Sequence, residues 1–213
     1  MTNVVVVDYG MGNIKSVQRG LQKVGANVKL SSIPEEITVA DCLVLPGVGA
    51  FEDGMKGLND SGVIPAINEF VKSGKSLLGI CLGMQMLMES SEEFGFHKGL
   101  GYIPGIVQAI PPENNKTNLR KIPHIGWSAL RYPQSRLDWN NTILKKTLEG
   151  DFFYFVHSFM AITQTEVNLL AQCEYEGMGI TAAIQNENIT GLQFHPEKSG
   201  ESGLKILKSF IND

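Results

Sequence analysis

Apolar and polar residues change rhythm midway along the chain. In the first half, short unbroken apolar runs alternate with amphipathic stretches. Residues 4–8, four valines and an aspartate, predict a strand, and Gly10-Met11-Gly12-Asn13 turns into a helix. That helix has one apolar face, Ile14, Val17, Leu21 and Val24, and Gly25 ends it. Residues 28–31 and 42–45 read as the next two strands, the latter followed by a tight loop, Pro46-Gly47-Val48-Gly49. Ile64, Ile67, Phe70 and Val71 mark a further helix stopped near Gly74, then residues 76–80 a short buried strand and residues 84–88 a helix-like run. Strands that are continuously apolar and separated by helices predict a parallel sheet covered on both faces.

Beyond a polar, proline-bearing loop at residues 111–121, short strands dominate, at 151–158, 166–173, 180–185 and 189–194. They lie close enough in sequence to pair antiparallel. Leu204, Leu207, Phe210 and Ile211 then suit a closing amphipathic helix over residues 202–211. The expected fold is α/β: a mostly parallel central sheet with helices on both faces, plus a C-terminal antiparallel portion.

Composition narrows the field without choosing a function. The 213 residues suffice for one core, so residues 1–213 are expected to form a single domain. No apolar run approaches the roughly 18 residues that cross a bilayer, so no membrane partner is expected. The N-terminal run stops at Asp8 and has no basic leader, which points to the cytoplasm. For such a protein the Asn-x-Ser/Thr triplets at Asn59, Asn140 and Asn188 carry no weight. A net charge of -4 argues against nucleic acid as a partner. Cys42, Cys81 and Cys173 form no C-x-x-C pair, which excludes the common zinc and dithiol spacings. Gly74-Lys75-Ser76 resembles the end of a phosphate loop, but Glu69 stands where that pattern needs glycine, and Gly10-x-Gly12 lacks its third glycine at Lys15. Neither a metal nor a cofactor is expected.

Chemistry concentrates in two remote segments. Gly79-Ile80-Cys81-Leu82-Gly83 lies between a buried strand and a helix-like run, in the G-x-nucleophile-x-G form of a nucleophile elbow. Such a turn lifts the sulfur to the carboxyl end of the sheet beside a helix N-terminus, which favours thiolate. A buried cysteine between packing glycines is the plain alternative for that segment alone. In Gln193-Phe194-His195-Pro196-Glu197-Lys198 a carboxylate follows a strand-end histidine by two residues, and in extended backbone those side chains face the same way. Glu197 can then fix the tautomer of His195 that leaves its other nitrogen free for the thiol proton. An isolated H-x-E is more often a strand-end histidine and a surface acid, so only its conjunction with Cys81 is informative.

Pro46-Gly47-Val48-Gly49, Gly79-Ile80-Cys81-Leu82-Gly83-Met84-Gln85 and Gln193-Phe194-His195-Pro196-Glu197 resemble, in order and spacing, the signature segments of class I glutamine amidotransferases. The resemblance spans nearly the whole chain and implies a flavodoxin-like fold. Pro123-His124-Ile125-Gly126-Trp127, Tyr154-Phe155-Val156-His157-Ser158 and His195-Pro196-Glu197-Lys198-Ser199-Gly200 narrow it to the glutaminase subunits of imidazole glycerol phosphate synthases. It implies that Cys81 attacks the side-chain amide of L-glutamine, that His195 protonates departing ammonia, and that a glutamyl thioester is hydrolysed. Leu82 and the Gly47–Gly49 loop, through Val48 or Gly49, would supply the oxyanion donors. Gly47, Gln85 and Glu93 would line the glutamine site, with the backbone of His157, Ser158 and Phe159 at its amino-acid end. On their own residues, Gln85 reads as a helix-face polar residue and Glu93 as a solvated acid.

The same resemblance assigns Gly12, Asn13, His124, Trp127, Tyr154 and Lys198 to a surface facing a (β/α)8 cyclase in a heterodimer, although a histidine beside an aromatic is more often structural. The main departure is Ser128, where the family usually has asparagine. It leaves open a paralogue that feeds ammonia to a sugar-amidating enzyme of surface-polysaccharide synthesis. A free-standing cysteine hydrolase and a catalytically silent subunit are the alternatives outside that class.

Overall fold

A computed structural model describes residues 1–113 and 119–212. In chain order the elements are β1 (Asn3–Val7), α1 (Ile14–Lys23), β2 (Asn27–Ser31), α2 (Pro34–Val39), β3 (Cys42–Leu45), α3 (Phe51–Asp60), α4 (Ile64–Lys72), β4 (Leu77–Ile80) and α5 (Leu82–Met86). Then come β5 (Met88–Ser91), β6 (His97–Lys98), β7 (Ile103–Ala109), β8 (His124–Arg131), β9 (Phe152–His157), β10 (Phe159–Thr163), β11 (Leu169–Tyr175), β12 (Met178–Asn186), β13 (Ile189–Leu192) and α6 (Gly200–Phe210).

One nine-stranded sheet runs through both halves in the order β2-β1-β3-β4-β13-β12-β11-β8-β9. Its first five strands are parallel, in the 2-1-3-4-5 order of flavodoxin-like sheets with β13 as the fifth. From β13 onward pairing is antiparallel. The sheet is therefore mixed, and the antiparallel portion continues the parallel one.

Both faces of the parallel part are covered, which explains its unbroken apolar strands. Val4 and Val6 of β1 point into one core with Val17 and Leu21 of α1 and Leu207 and Phe210 of α6. Val5 and Val7 point into the other, with Ile37 of α2, Phe51 and Leu58 of α3, and Ile67 and Phe70 of α4. Cys42 and Cys173 are buried in the first core, as expected of small hydrophobes.

Several boundaries move. The helix-like run at 84–88 comes two residues earlier, because α5 spans Leu82–Met86 and Met88 begins a strand. A second sheet, β10-β7-β5-β6, was not expected at all, nor was β8. The strand expected at 151–158 stops at His157, and the one expected at 166–173 begins with a 3-10 turn, Glu166–Asn168. Residues 114–118 of the expected loop lie outside the described residues, while Glu113 and Leu119 on either side form an isolated antiparallel bridge.

Candidate functional site

The parallel register pairs Ile80 at the end of β4 with Leu192 at the end of β13. The residues just beyond these two strands therefore emerge side by side at the carboxyl edge, where open α/β sheets place their ligands. Cys81 comes directly after Ile80, and its N–H donates to the Leu192 carbonyl at 2.7 Å. Its backbone, at φ 56° and ψ -113°, lies in a region that non-glycine residues rarely enter, a strain of about 1–3 kcal/mol. The elbow is held closed by contact: a Cβ on Gly83 would overlap the carbonyl oxygen of Leu45.

His195 lies just beyond β13 and is anchored by its N–H to the Tyr154 carbonyl at 3.0 Å. Strand alternation is not what brings Glu197 to it. Pro196–Lys198 form a 3-10 turn that carries the carboxylate back, so that Nδ1–H donates to Oε1 at 2.8 Å. Both side chains are buried, 3% and 0% exposed. Gly20 of α1 closes over Glu197, whose Cβ would lie 3.2 Å from any Cβ at that position.

The other nitrogen, Nε2, is buried and, apart from its interaction with Cys81, has no hydrogen-bond partner among the described residues. His195 and Cys81 line the same cavity, of about 510 Å³. Burial disfavours the imidazolium, but Cys81 and Glu197 together outweigh it and raise the His195 pKa to about 9. His195 thus holds a proton at neutral pH in the wall of the cavity that Cys81 also lines.

Besides Cys81 and His195, cavity walls come from five places, one of them Pro123 just before β8. Val48 and Gly49 supply the loop after β3, Leu82 and Gln85 the elbow helix, Glu93 and Phe94 the turn after β5, and Val156 to Phe159 the end of β9 and start of β10. Glu93 is buried rather than solvated: its Oε2 accepts the Phe51 N–H at 2.7 Å at the start of α3. Burial raises its pKa more than that hydrogen bond lowers it. Gln85 donates through Nε2 to the Phe159 carbonyl at 3.1 Å and to Gln193 Oε1 at 3.0 Å. Among the described residues, no group of three or more His, Cys, Asp or Glu side chains is placed to hold a metal.

Two expected positions lie apart from the cavity wall and the open surface. Gly47 does not line the cavity; it packs beneath the elbow, where a Cβ would come 2.8 Å from the Gly83 nitrogen. His124 is 1% exposed, its side chain turned into the protein. It lies stacked on Phe155 and Tyr175 and hydrogen-bonds to His157 and Ser128. Trp127 is 53% exposed and packs edge-on to Tyr154, over whose ring Lys198 Nζ lies at 5.8 Å. Gly12 and Asn13 are half-buried, and the site a Cβ of Gly12 would occupy is 3.6 Å from the Pro46 side chain.

Two residues escaped the sequence. Gln193, fully buried, reaches from Gln85 to the Cys81 sulfur, with Nε2 at 3.8 Å from Sγ. Tyr9 donates its hydroxyl to the Pro46 carbonyl at 2.6 Å and so fixes the loop after β3. Gln193 opens the segment that carries His195, and that was its only signal; nothing in the sequence marks Tyr9.

Comparison with known proteins places the chain in a family. The family model described as "Glutamine amidotransferase class-I" matches residues 5–213. The imidazole glycerol phosphate synthase subunit HisH 1 of Legionella pneumophila (strain Lens) is 52% identical over 211 residues, 99% of each chain. The HisH subunit of Methanosarcina acetivorans is 50% identical over 214 residues, covering 99% of this chain and 98% of that one. Among solved structures, PurLQS from Thermotoga maritima shares the fold with a TM-score of 0.69 at 21% identity, covering 100% of this chain and 99% of the other. A chain described as a glutamine amidotransferase does so with a TM-score of 0.71 at 16% identity, covering 98% and 99%. The chain belongs to the class I glutamine amidotransferase family and, within it, to the HisH subunits of imidazole glycerol phosphate synthase.

Proposed function

We propose that this chain is a glutaminase subunit that hydrolyses L-glutamine through Cys81, His195 and Glu197 and passes the ammonia to a (β/α)8 cyclase forming imidazole glycerol phosphate in histidine biosynthesis. The observation that carries the chemistry is the buried His195–Glu197 pair, whose imidazole lines one cavity with a strained Cys81.

The Cys81 sulfur attacks the side-chain amide carbon while the proton shared by the Cys81–His195 pair stays on His195. The carbonyl oxygen becomes an oxyanion, for which the Leu82 N–H and an N–H of Val48 or Gly49 are the donors at hand. Amide nitrogen is a poor leaving group, so His195 Nε2 gives it the proton as the C–N bond breaks, releasing ammonia and leaving a glutamyl thioester. Water then adds to the thioester, its proton passing to Nε2; glutamate leaves and the sulfur regains its starting state. Glu197 orients the imidazole throughout. Gln85 and Glu93 bound the substrate side of the cavity.

The exposed Trp127, with Tyr154 and Lys198, is the surface proposed for the cyclase, in line with the names of the HisH relatives, which are subunits of a synthase. The cytoplasm is the expected compartment; among the described residues no helix is long and apolar enough to cross a membrane. The test is ammonia release from glutamine with and without a histidine-pathway cyclase and its nucleotide ligand. Release that rises with the cyclase and is lost in Cys81→Ala supports the reading. Undiminished release in Cys81→Ala would end it.

A further inference from the structure

A run of hydrogen bonds with one possible direction ends at the Cys81 sulfur. It starts at the Phe159 carbonyl, which can only accept, so the Gln85 atom 3.1 Å away is the amide nitrogen Nε2. The same nitrogen lies 3.0 Å from the amide of Gln193. Having only protons to give, it requires the Gln193 oxygen there. The Gln193 NH2 is thereby turned the other way, and its Nε2 reaches Cys81 Sγ at 3.8 Å. Reversed, the Gln193 amide would set donor against donor at Gln85 and a lone-pair oxygen against the sulfur.

Gln193 is fully buried, with its backbone N–H tied to the Ala182 carbonyl at 2.9 Å. It does not line the cavity, so it meets the chemistry through the sulfur and through Gln85. The sulfur also lies 4.0 Å from the Val156 carbonyl, an acceptor that suits a thiol proton. Gln193 acts in the opposite sense, because an N–H aimed at sulfur favours the anion. Two titratable groups interact with the same sulfur. One is His195, and the other is Tyr9, whose hydroxyl burial keeps protonated.

We propose that Gln193 is the donor that holds the Cys81 sulfur as thiolate beside the protonated His195, and that Gln85 positions it by fixing which end of the Gln193 amide faces the sulfur. The bearing on glutamine hydrolysis rests on the glutaminase reading; the effect on the sulfur does not.

The test is the rate at which iodoacetamide alkylates Cys81 in the full chain, followed by mass at that residue; Cys42 and Cys173 are buried in the core. Gln193→Met fills a similar space without a donor. Its alkylation at pH 7 should be about ten-fold slower than in the wild type, the loss of one hydrogen bond to a charged group. The deficit should close as pH rises and the thiol ionises unaided. Gln85→Met, which removes the amide that bonds Phe159 and Gln193 rather than the sulfur, should slow alkylation too, by a smaller factor, and it carries the test if Gln193→Met does not fold. With a saturating (β/α)8 cyclase, kcat/KM for glutamine in Gln193→Met should show the same deficit at pH 7 and the same recovery. Alkylation of Gln193→Met at the wild-type rate at pH 7 would overturn the proposal, as would a deficit equal at every pH, which marks structural damage. Gln85→Met alkylated like the wild type would overturn the positioning part. A wild type that releases no ammonia from glutamine would overturn the glutaminase reading instead, and alkylation would still decide what Gln193 does.

Discussion

Glu197→Gln removes a buried charge and nothing of shape, so it isolates what the carboxylate does for His195. The amide cannot favour the imidazolium, and the His195 pKa should fall from about 9. Ammonia release should drop about 10²-fold or more, because the imidazole is no longer held in one tautomer by a charge. Stability obeys the same linkage. A histidine raised in the folded state stabilises fully below its unfolded value of about 6.5, and that contribution is lost as pH rises through about 9. The stability gap between wild type and variant in denaturant titrations should thus be largest near pH 6 and close by pH 10; a gap that widens with pH would contradict it. His124 and His157 act with the opposite sign. Both are held neutral in the fold, so the unfolded chain takes up their protons below about pH 6.5, and wild-type stability should fall between pH 6.5 and 5. A melting temperature flat across that range would count against their burial as neutral rings. At this scale the sequence disclosed what chemistry makes conspicuous: a cysteine between glycines, and a histidine near a glutamate. It hid Tyr9 and Gln193, whose importance lies only in what they touch.

Among elements, the elbow is the most exacting. Gly83→Ala must push a methyl into the Leu45 carbonyl, so β3 and β4 or the start of α5 have to separate. Overpacking of that kind costs about 1–3 kcal/mol or more, and Cys81 should lose its geometry with it. Denaturant midpoint and Cys81 alkylation should both change in Gly83→Ala; unchanged values for both would mean the elbow is more forgiving than its contacts suggest. The parallel half was legible because burial on both faces leaves runs such as Val4 to Val7 and Cys42 to Leu45 with no polar residue. α3 was less so. Gly54 and Gly57 lower its helical propensity, yet they are there for close approach, with Met86 Sδ 2.8 Å from a Cβ at Gly54 and the Tyr9 carbonyl 3.0 Å from one at Gly57. β8 alternates too weakly to be read, since exposed Ile125 and Trp127 share the strand with buried His124 and Leu130. The site depended on the β4–β13 pairing, which joins residues more than a hundred apart and has no local signature.

At the scale of the molecule, the antiparallel extension gives the glutaminase core a second face. β9 is the edge strand, and Trp127, Ile125 and Phe152 on β8 and β9 are all more than half exposed. Apolar side chains on an edge suit a partner that covers them. The chain has only two tryptophans, and Trp139 is already buried, so Trp127 is a native probe of that surface. Its emission should shift to the blue on adding a histidine-pathway cyclase, and Trp127→Ala should weaken the complex by about 2 kcal/mol if the ring is an anchor. Emission unaffected by a bound cyclase would place the interface elsewhere. The central claim is that Cys81 carries the acyl group of glutamine, and trapping that intermediate tests it most directly. The chain is mixed with glutamine and cyclase, quenched in acid during turnover, and its mass measured. The account predicts a glutamyl adduct on Cys81, enriched in the wild type and absent from Cys81→Ala. Turnover without an adduct at Cys81, or an adduct on another residue, would contradict it.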